Sequence, residues 1–242
     1  MADVSVSMEA EEKRDMTFRQ GVKDCIPTLL GYISIGIAAG VVGVAAGISA
    51  LEVVLLALLV YAGSAQFIFA ALVLDGSPAA AIILTTFIVN LRHFLMSATL
   101  APHFTQYSVW RNIGIGILLT DETFGVASGR LQLKQRMSAS WMNGLNITAY
   151  LCWIVSCAAG ALFGNWLSDP EAFGLDFALT AMFIALLVLQ LDAIESAKLK
   201  HYLRLMGCIV LLMAGFSFFV SSHMAVLLAT IIGATIGVVT EK

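Results

Sequence analysis

Apolar positions in this chain gather into long runs separated by short polar interruptions. Charge-poor stretches cover about Pro27 to Ile48, Val53 to Leu74, Pro78 to Leu100, Ile113 to Val126, Leu145 to Leu167, Phe173 to Leu191, Tyr202 to Ser221 and Met224 to Val239. A membrane-spanning helix takes about 20 predominantly apolar residues. The pattern therefore predicts an all-α, polytopic transmembrane helical bundle of seven to eight membrane segments, with room for discontinuous helices. The fourth stretch is the shortest and is open to two readings: a crossing, or a half-helix or re-entrant element. Residues 1–24 are polar and lack the apolar core and cleavage site of a signal peptide. They are expected to form a cytoplasmic N-terminal segment ahead of a single transmembrane domain, residues 25–242.

Composition agrees with the pattern. With 60% hydrophobic and 12% charged residues and a mean hydropathy of +0.91, there is too little polar surface to cover a water-soluble globule. The net charge of −3 is dispersed and offers no basic patch for nucleic acid. Cys25, Cys152, Cys157 and Cys208 form neither a CxxC nor a metal-ligand spacing and are expected to be small core residues.

Basic residues give an orientation. They cluster before segment one (Lys13, Arg14, Arg19, Lys23), after segment four (Arg130, Lys134, Arg136) and after segment six (Lys198, Lys200, Arg204). Eight crossings with both termini in the cytoplasm put all three clusters inside, as the positive-inside rule asks. Arg111 is then the one basic residue left outside. A short internal echo, Ala38-Ala39-Gly40 with Ala158-Ala159-Gly160 and Ala57-Leu58-Leu59-Val60 with Ala185-Leu186-Leu187-Val188, fits two related halves, about 25–128 and 145–240. Short matches also arise by chance in a chain this rich in Ala and Leu.

Glycines recur four apart: Gly36 and Gly40, Gly43 and Gly47, Gly125 and Gly129, Gly160 and Gly164, Gly233 and Gly237. In lipid, small residues let helix backbones approach, so these pairs predict helix–helix interfaces, most of all on the first helix.

The polar residues inside apolar runs carry the chemistry. Segment three holds Asn90-Leu91-Arg92-His93, and segment four holds Thr120-Asp121-Glu122-Thr123. A charge at mid-bilayer costs about 2.5 to 3.5 kcal/mol on insertion scales, so such residues should find partners. Arg92 and Asp121 each lie a similar distance from the link joining segments three and four, which places them at similar depth. A pair of Arg92 with Asp121 or Glu122 would leave the other carboxylate and His93 for a proton or a substrate ammonium. A buried pair that only fixes helix register is the plainer alternative. Segment two adds Tyr61-Ala62-Gly63-Ser64-Ala65-Gln66-Phe67. Gly63, Ser64 and Gln66 suit either a break whose freed backbone groups bind solute or interhelical hydrogen bonds in an intact helix. Gln190 and Asp192 read as interfacial.

These three motifs, in this order, resemble the AzlC family, the large subunit of bacterial branched-chain amino acid exporters. The resemblance runs from about Phe18 to the last helix and includes Ala178-Leu179-Thr180-Ala181. It implies export of leucine, isoleucine, valine or methionine across a bacterial inner membrane, driven by the proton gradient, in complex with a small AzlD-like membrane subunit. It transfers no residue map and does not fix the substrate of this member.

Other classes fit less well. An enzyme is disfavoured because neither HExxH nor Gly-x-Ser-x-Gly occurs. An ATP-driven pump is disfavoured because there is no P-loop, and no cofactor or metal is called for. A scaffold or assembly subunit, or an exporter of another small solute, remains the rival. The expected pathway runs among segments two, three and four through Gly63, Ser64, Gln66, Asn90, Arg92, His93, Thr120, Asp121 and Glu122. A zwitterionic amino acid would find its two charged partners there, with free N–H groups near Gly63 as a further carboxylate receptor.

Overall fold

The structure, a computed structural model, describes residues 16–133, 135–164, 166, 177, 184, 187, 188, 191, 194, 196–220 and 222–240. The polar stretch before Met16, Lys134, most of segment six with its flanking Asp169 and Glu171, and Gln190, Asp192 and Glu195 lie outside them. The described residues are helical, without strands: α1 (Phe18–Ala45), α2 (Ala50–Leu59), α3 (Gly63–Leu74), α4 (Ala79–Leu100), a 3-10 turn (Ala101–Phe104), α5 (Val109–Ile117), α6 (Asp121–Gln132), α7 (Ala139–Gly164), α8 (Ser196–Phe216) and α9 (Ser222–Thr240). Four helical stretches among them are long and apolar enough to cross a membrane: Phe18–Ala45, Ala79–Phe104, Ala139–Gly164 and Lys198–Phe216.

Two compact units result, Met1–Ser77 with Val89–Leu179, and Pro78–Ile88 with Thr180–Lys242. The first is built on α1 and α7. Gly21 sits against the backbone of Trp141, Gly36 against Ser156, Gly40 against Cys157 and Ala161, Gly160 against Ile37, and Gly164 against Val41. The pairs advance together along both chains, so the two helices run parallel with their backbones in direct contact. The four-spaced glycines of α1 and α7 pack as expected. Gly125 and Gly129 do not, because a Cβ there would meet nothing within 4 Å. Gly47 also packs against nothing and instead ends the turn after α1 with φ +83°. In the second unit α8 and α9 run antiparallel, with Gly233 against Ile209 and Gly237 against Leu205.

Segments two and four are both broken. Segment two stops at Val60, takes Tyr61 through φ 44°, and restarts as α3 at Gly63. A non-glycine residue in the left-handed region is strained and persists only where its surroundings hold it. Segment four breaks between Ile117 and Asp121, with Thr120 as N-cap of α6.

The arms turn back at these breaks instead of continuing. Phe69 and Val73 of α3 share a groove with Gly47, Ile48, Glu52 and Leu55 at the start of α2, so α3 returns to the end where α1 finishes. His103, Gln106 and Tyr107, ahead of α5, share a groove with Met16, Leu131, Gln135 and Met137. The α5–α6 hairpin thus enters and leaves on the side of the N-terminus. Of the readings the sequence left open for segments two and four, the structure has the broken ones: both are helical hairpins, inserted from opposite ends of the unit, and so neither is a single crossing helix. The number of full passes between α1 and α7 stays odd, one instead of three, which is why the two remain parallel. Arg111, whose guanidinium lies 5.0 Å over the Tyr107 ring, lies on the N-terminal side of this unit with Arg19, Lys23, Arg130 and Arg136.

At the far end, Ser49 caps α2. Its hydroxyl and backbone N–H donate to Glu52 at 2.6 and 2.8 Å, and this holds the Glu52 carboxyl below the usual carboxylate range. At the N-terminal end, Asp24 gathers three helices. It accepts from Trp141 Nε1 at 2.8 Å and from Gln20 Nε2 at 2.8 Å, and pairs with Arg130 at 3.4 Å. Arg130 also lies 4.5 Å over the Trp141 ring.

Candidate functional site

The two hairpin tips meet beside the middle of α1 and α7. Each break frees backbone carbonyls that need new donors, and α7 supplies one to each. Tyr150 donates its hydroxyl to the Leu58 carbonyl at 2.8 Å, while fully buried Asn146 donates Nδ2 to the Ile115 carbonyl at 3.0 Å. The rings of Tyr61 and Tyr150 stack edge to face at 4.8 Å, which helps hold Tyr61 in its strained conformation.

Arg92 of α4 joins the tips. One nitrogen, Nη2, donates to Ser64 Oγ of the first hairpin at 2.5 Å and pairs with Asp121 Oδ2 of the second at 3.0 Å. Ser64 is fully buried, and the Asp121 side chain is 14% exposed. Gln66 accepts from Trp153 Nε1 at 3.0 Å, and Trp153 in turn meets the Tyr32 ring edge to face. The Tyr32 hydroxyl bonds Thr120, whose own side chain and that of Thr123 cap α6 reciprocally.

Most of the expected pathway residues are therefore close together. Gly63, Ser64 and Gln66 form the first turn of α3, while Thr120, Asp121 and Glu122 form the cap and first turn of α6. Arg92 bridges the two, which favours the broken reading of segment two over the intact one. Asn90 lies one position short of one turn before Arg92's neighbour His93, and its Oδ1 is buried without a partner. His93 lines an apolar cavity of 550 Å³ between α4 and α5, with Ser97, Leu100, Phe104, Ile115, Gly116 and Leu119 among its walls.

Several residues of the cluster carried little signal in the sequence. Tyr32, Trp153 and Tyr150 read as ordinary aromatic residues of apolar helices. Asn146, an amide within an apolar helix, is the one that its polarity could have marked.

The electrostatics follow from the topology. Both α3 and α6 begin at the tips, so two helix N-termini, each worth roughly half a positive charge, converge on one place beside Arg92. Asp121 and Glu122 oppose them. The site can hold an anionic and a cationic group side by side. Among the described residues no His, Cys, Asp and Glu cluster suits a metal ion.

Comparison with known proteins agrees with this architecture. The family model described as AzlC protein matches residues 27–167, which include both hairpins and Arg92. The inner membrane protein YgaZ of Escherichia coli K12 is 30% identical over 223 residues, 90% of this chain and 88% of that protein. The branched-chain amino acid transport protein AzlC of Bacillus subtilis is 24% identical over 216 residues, covering 87% and 82% of the two chains. An uncharacterized membrane protein of Archaeoglobus fulgidus is 28% identical over 180 residues, 71% and 74%. No solved structure matches. The chain is a multi-pass membrane transport protein and belongs to the AzlC family.

Proposed function

We propose that this protein exports branched-chain or other neutral amino acids, namely leucine, isoleucine, valine and methionine, across a bacterial inner membrane by proton-coupled exchange, working with a small AzlD-like membrane subunit. One observation carries the reading. Arg92 ties Ser64 to Asp121 where two hairpins from opposite ends of the unit meet, so a single charged site lies at the end of a separate arm toward each face. Binding at the tips of discontinuous helices with access that alternates between faces is how many secondary transporters work. The name of the Bacillus subtilis relative supports the substrate class.

The same reading places both termini in the cytoplasm, since Arg19, Lys23, Arg111, Arg130 and Arg136 then share the inner side. It also treats residues 25–242 as one transporter domain of two related halves. The parallel, in-register packing of α1 on α7 supports that, because the Ala-Ala-Gly echo falls at this contact.

Counterflow of labelled leucine, valine and methionine in proteoliposomes holding the protein and its small partner tests the proposal. Wild type is expected to exchange all three with a proton gradient as driving force. Asp121→Asn and Glu122→Gln are each expected to cut flux by about 10- to 100-fold, the value of one hydrogen bond to a charged group. Unchanged proton-driven flux in both variants rejects the carboxylate role, and no flux in wild type favours a scaffold.

A further inference from the structure

Several hydroxyls inside the apolar helices of this protein turn back onto their own backbone. Ser34, Thr99, Thr148, Thr235 and Thr240 each donate to the carbonyl four residues earlier. An unmet hydroxyl in lipid is costly, so this is the arrangement expected where water is absent. Ser97 departs from it. It lies two residues before Thr99 on the same helix, yet its hydroxyl makes no hydrogen bond among the described residues. It is turned toward α5, where a Cβ on Gly116 would lie 3.3 Å from its Oγ. Asn112 of α5 has a similar shortfall. Its Nδ2 donates to the Phe104 carbonyl at 3.1 Å, but its Oδ1 is buried without a partner.

Ser97 and Asn112 belong to the two walls of the 550 Å³ cavity between α4 and α5. Its floor is closed, since Leu100, Phe104 and Leu119 are each 2% exposed. One end lies at Phe104 and Val109, at the mouth of the second hairpin on the N-terminal side of the unit. The other lies at His93 and Leu119, one residue from Arg92 and two from Asp121. From His93 to Leu100 the cleft follows α4 for about 10 Å at 1.5 Å rise per residue. An acyl chain filling it would suit the apolar walls but leave the Ser97 hydroxyl and the Asn112 oxygen unmet. Water, or a solute with both an aliphatic and a polar end, satisfies both kinds of lining.

We propose that this cleft is a hydrated passage for an amino acid with an aliphatic side chain between the N-terminal side and the Arg92–Asp121 pair. The apolar walls take the side chain, while Ser97 and Asn112 meet the polar end or the water that travels with it. The proposal rests on the transport reading above and adds to it the route on one side of the site.

Ser97→Cys and Leu95→Cys, each made in the full protein with its small partner, test the passage. Leu95 lies at nearly the same depth of α4 and is exposed, but it is not part of the cleft. In sealed membrane vesicles that present the N-terminal side to the medium, a permanently charged methanethiosulfonate is expected to modify residue 97 at least about tenfold faster than residue 95, because its charge is excluded from lipid. Intact-mass spectrometry against the unsubstituted protein, which carries the native cysteines, reads both rates. Saturating leucine should slow the reaction at residue 97, and vesicles of the opposite orientation should react more slowly there. Once modified, Ser97→Cys should lose leucine counterflow, while Leu95→Cys treated alike keeps it. Equal rates at the two positions, as a cleft filled by an acyl chain or by the partner would give, or a faster reaction from the opposite side, overturn the passage and leave the transport reading standing. If the unsubstituted protein exchanges no leucine, the transport reading fails, and the two rates still decide whether the cleft holds water.

Discussion

Arg92 and Asp121 illustrate how far single residues in an apolar chain announce themselves. A guanidinium and a carboxylate inside low-polarity runs each need a partner, and counting from the shared link put them at one depth; the structure has them 3.0 Å apart. Removing one member leaves the other uncompensated, at a cost of about 3 to 5 kcal/mol for a fully buried pair. The Arg92 side chain retains 26% exposure, so the penalty here should be smaller. Arg92→Gln and Asp121→Asn should each lower the melting temperature of the purified protein more than the double variant does, as a double-mutant cycle would measure. A double variant whose loss equals the sum of the two single losses would mean that the pair contributes nothing. Tyr61 was legible in another way. Its motif marked a special place, but that a tyrosine would sit at φ 44° with an unsatisfied hydroxyl follows from the turn and from α7 stacking on it, neither of which is local information.

At the level of helices, sequence marked where the chain breaks better than where it goes afterwards. Glycine with Ser and Gln flagged segment two, and short length flagged segment four. Whether the second arm continues or returns leaves no trace in hydropathy, since α3 meets an apolar environment either way. What fixes the return is the set of donors on α7, contributed from far along the chain. Asn146→Ala removes the donor to the Ile115 carbonyl at a fully buried position, and an unsatisfied buried acceptor costs about 1 to 3 kcal/mol. Tyr150→Phe removes the donor to Leu58 but keeps the ring against Tyr61, in a more exposed place where water can substitute. Thermal unfolding in lipid nanodiscs should therefore show a clearly larger loss for Asn146→Ala. Equal losses would mean that the second break does not depend on this amide.

For the first unit as a whole, α1 and α7 act as a single rigid post. A Cβ on Gly40 would meet the backbone of Cys157, Gly160 and Ala161, and one on Gly160 would meet the backbone of Ile37, where no side-chain rotation gives relief. Gly40→Ala and Gly160→Ala should abolish or strongly reduce the folded yield in membranes. Gly125→Ala and Gly129→Ala meet nothing and should gain about 0.5 to 1 kcal/mol from helix propensity. Expression with fluorescence-detected size exclusion would compare the four, and equal behaviour would contradict the packing. The spacing of small residues was visible from the start; which pairs serve an interface was not, because the same four-residue rhythm occurs on α6 at Gly125 and Gly129, where no described residue lies against the glycines.

The two returning arms have equal length, 12 residues in α3 and 12 in α6, or about 18 Å each at 1.5 Å rise per residue. A solute held at the tips is thus separated from either aqueous compartment by the thickness of one short rod, not by a whole bundle. On the transport reading, displacing one rod while the opposite one stays seated would open the tips to one side only, with the paired central helices left in place.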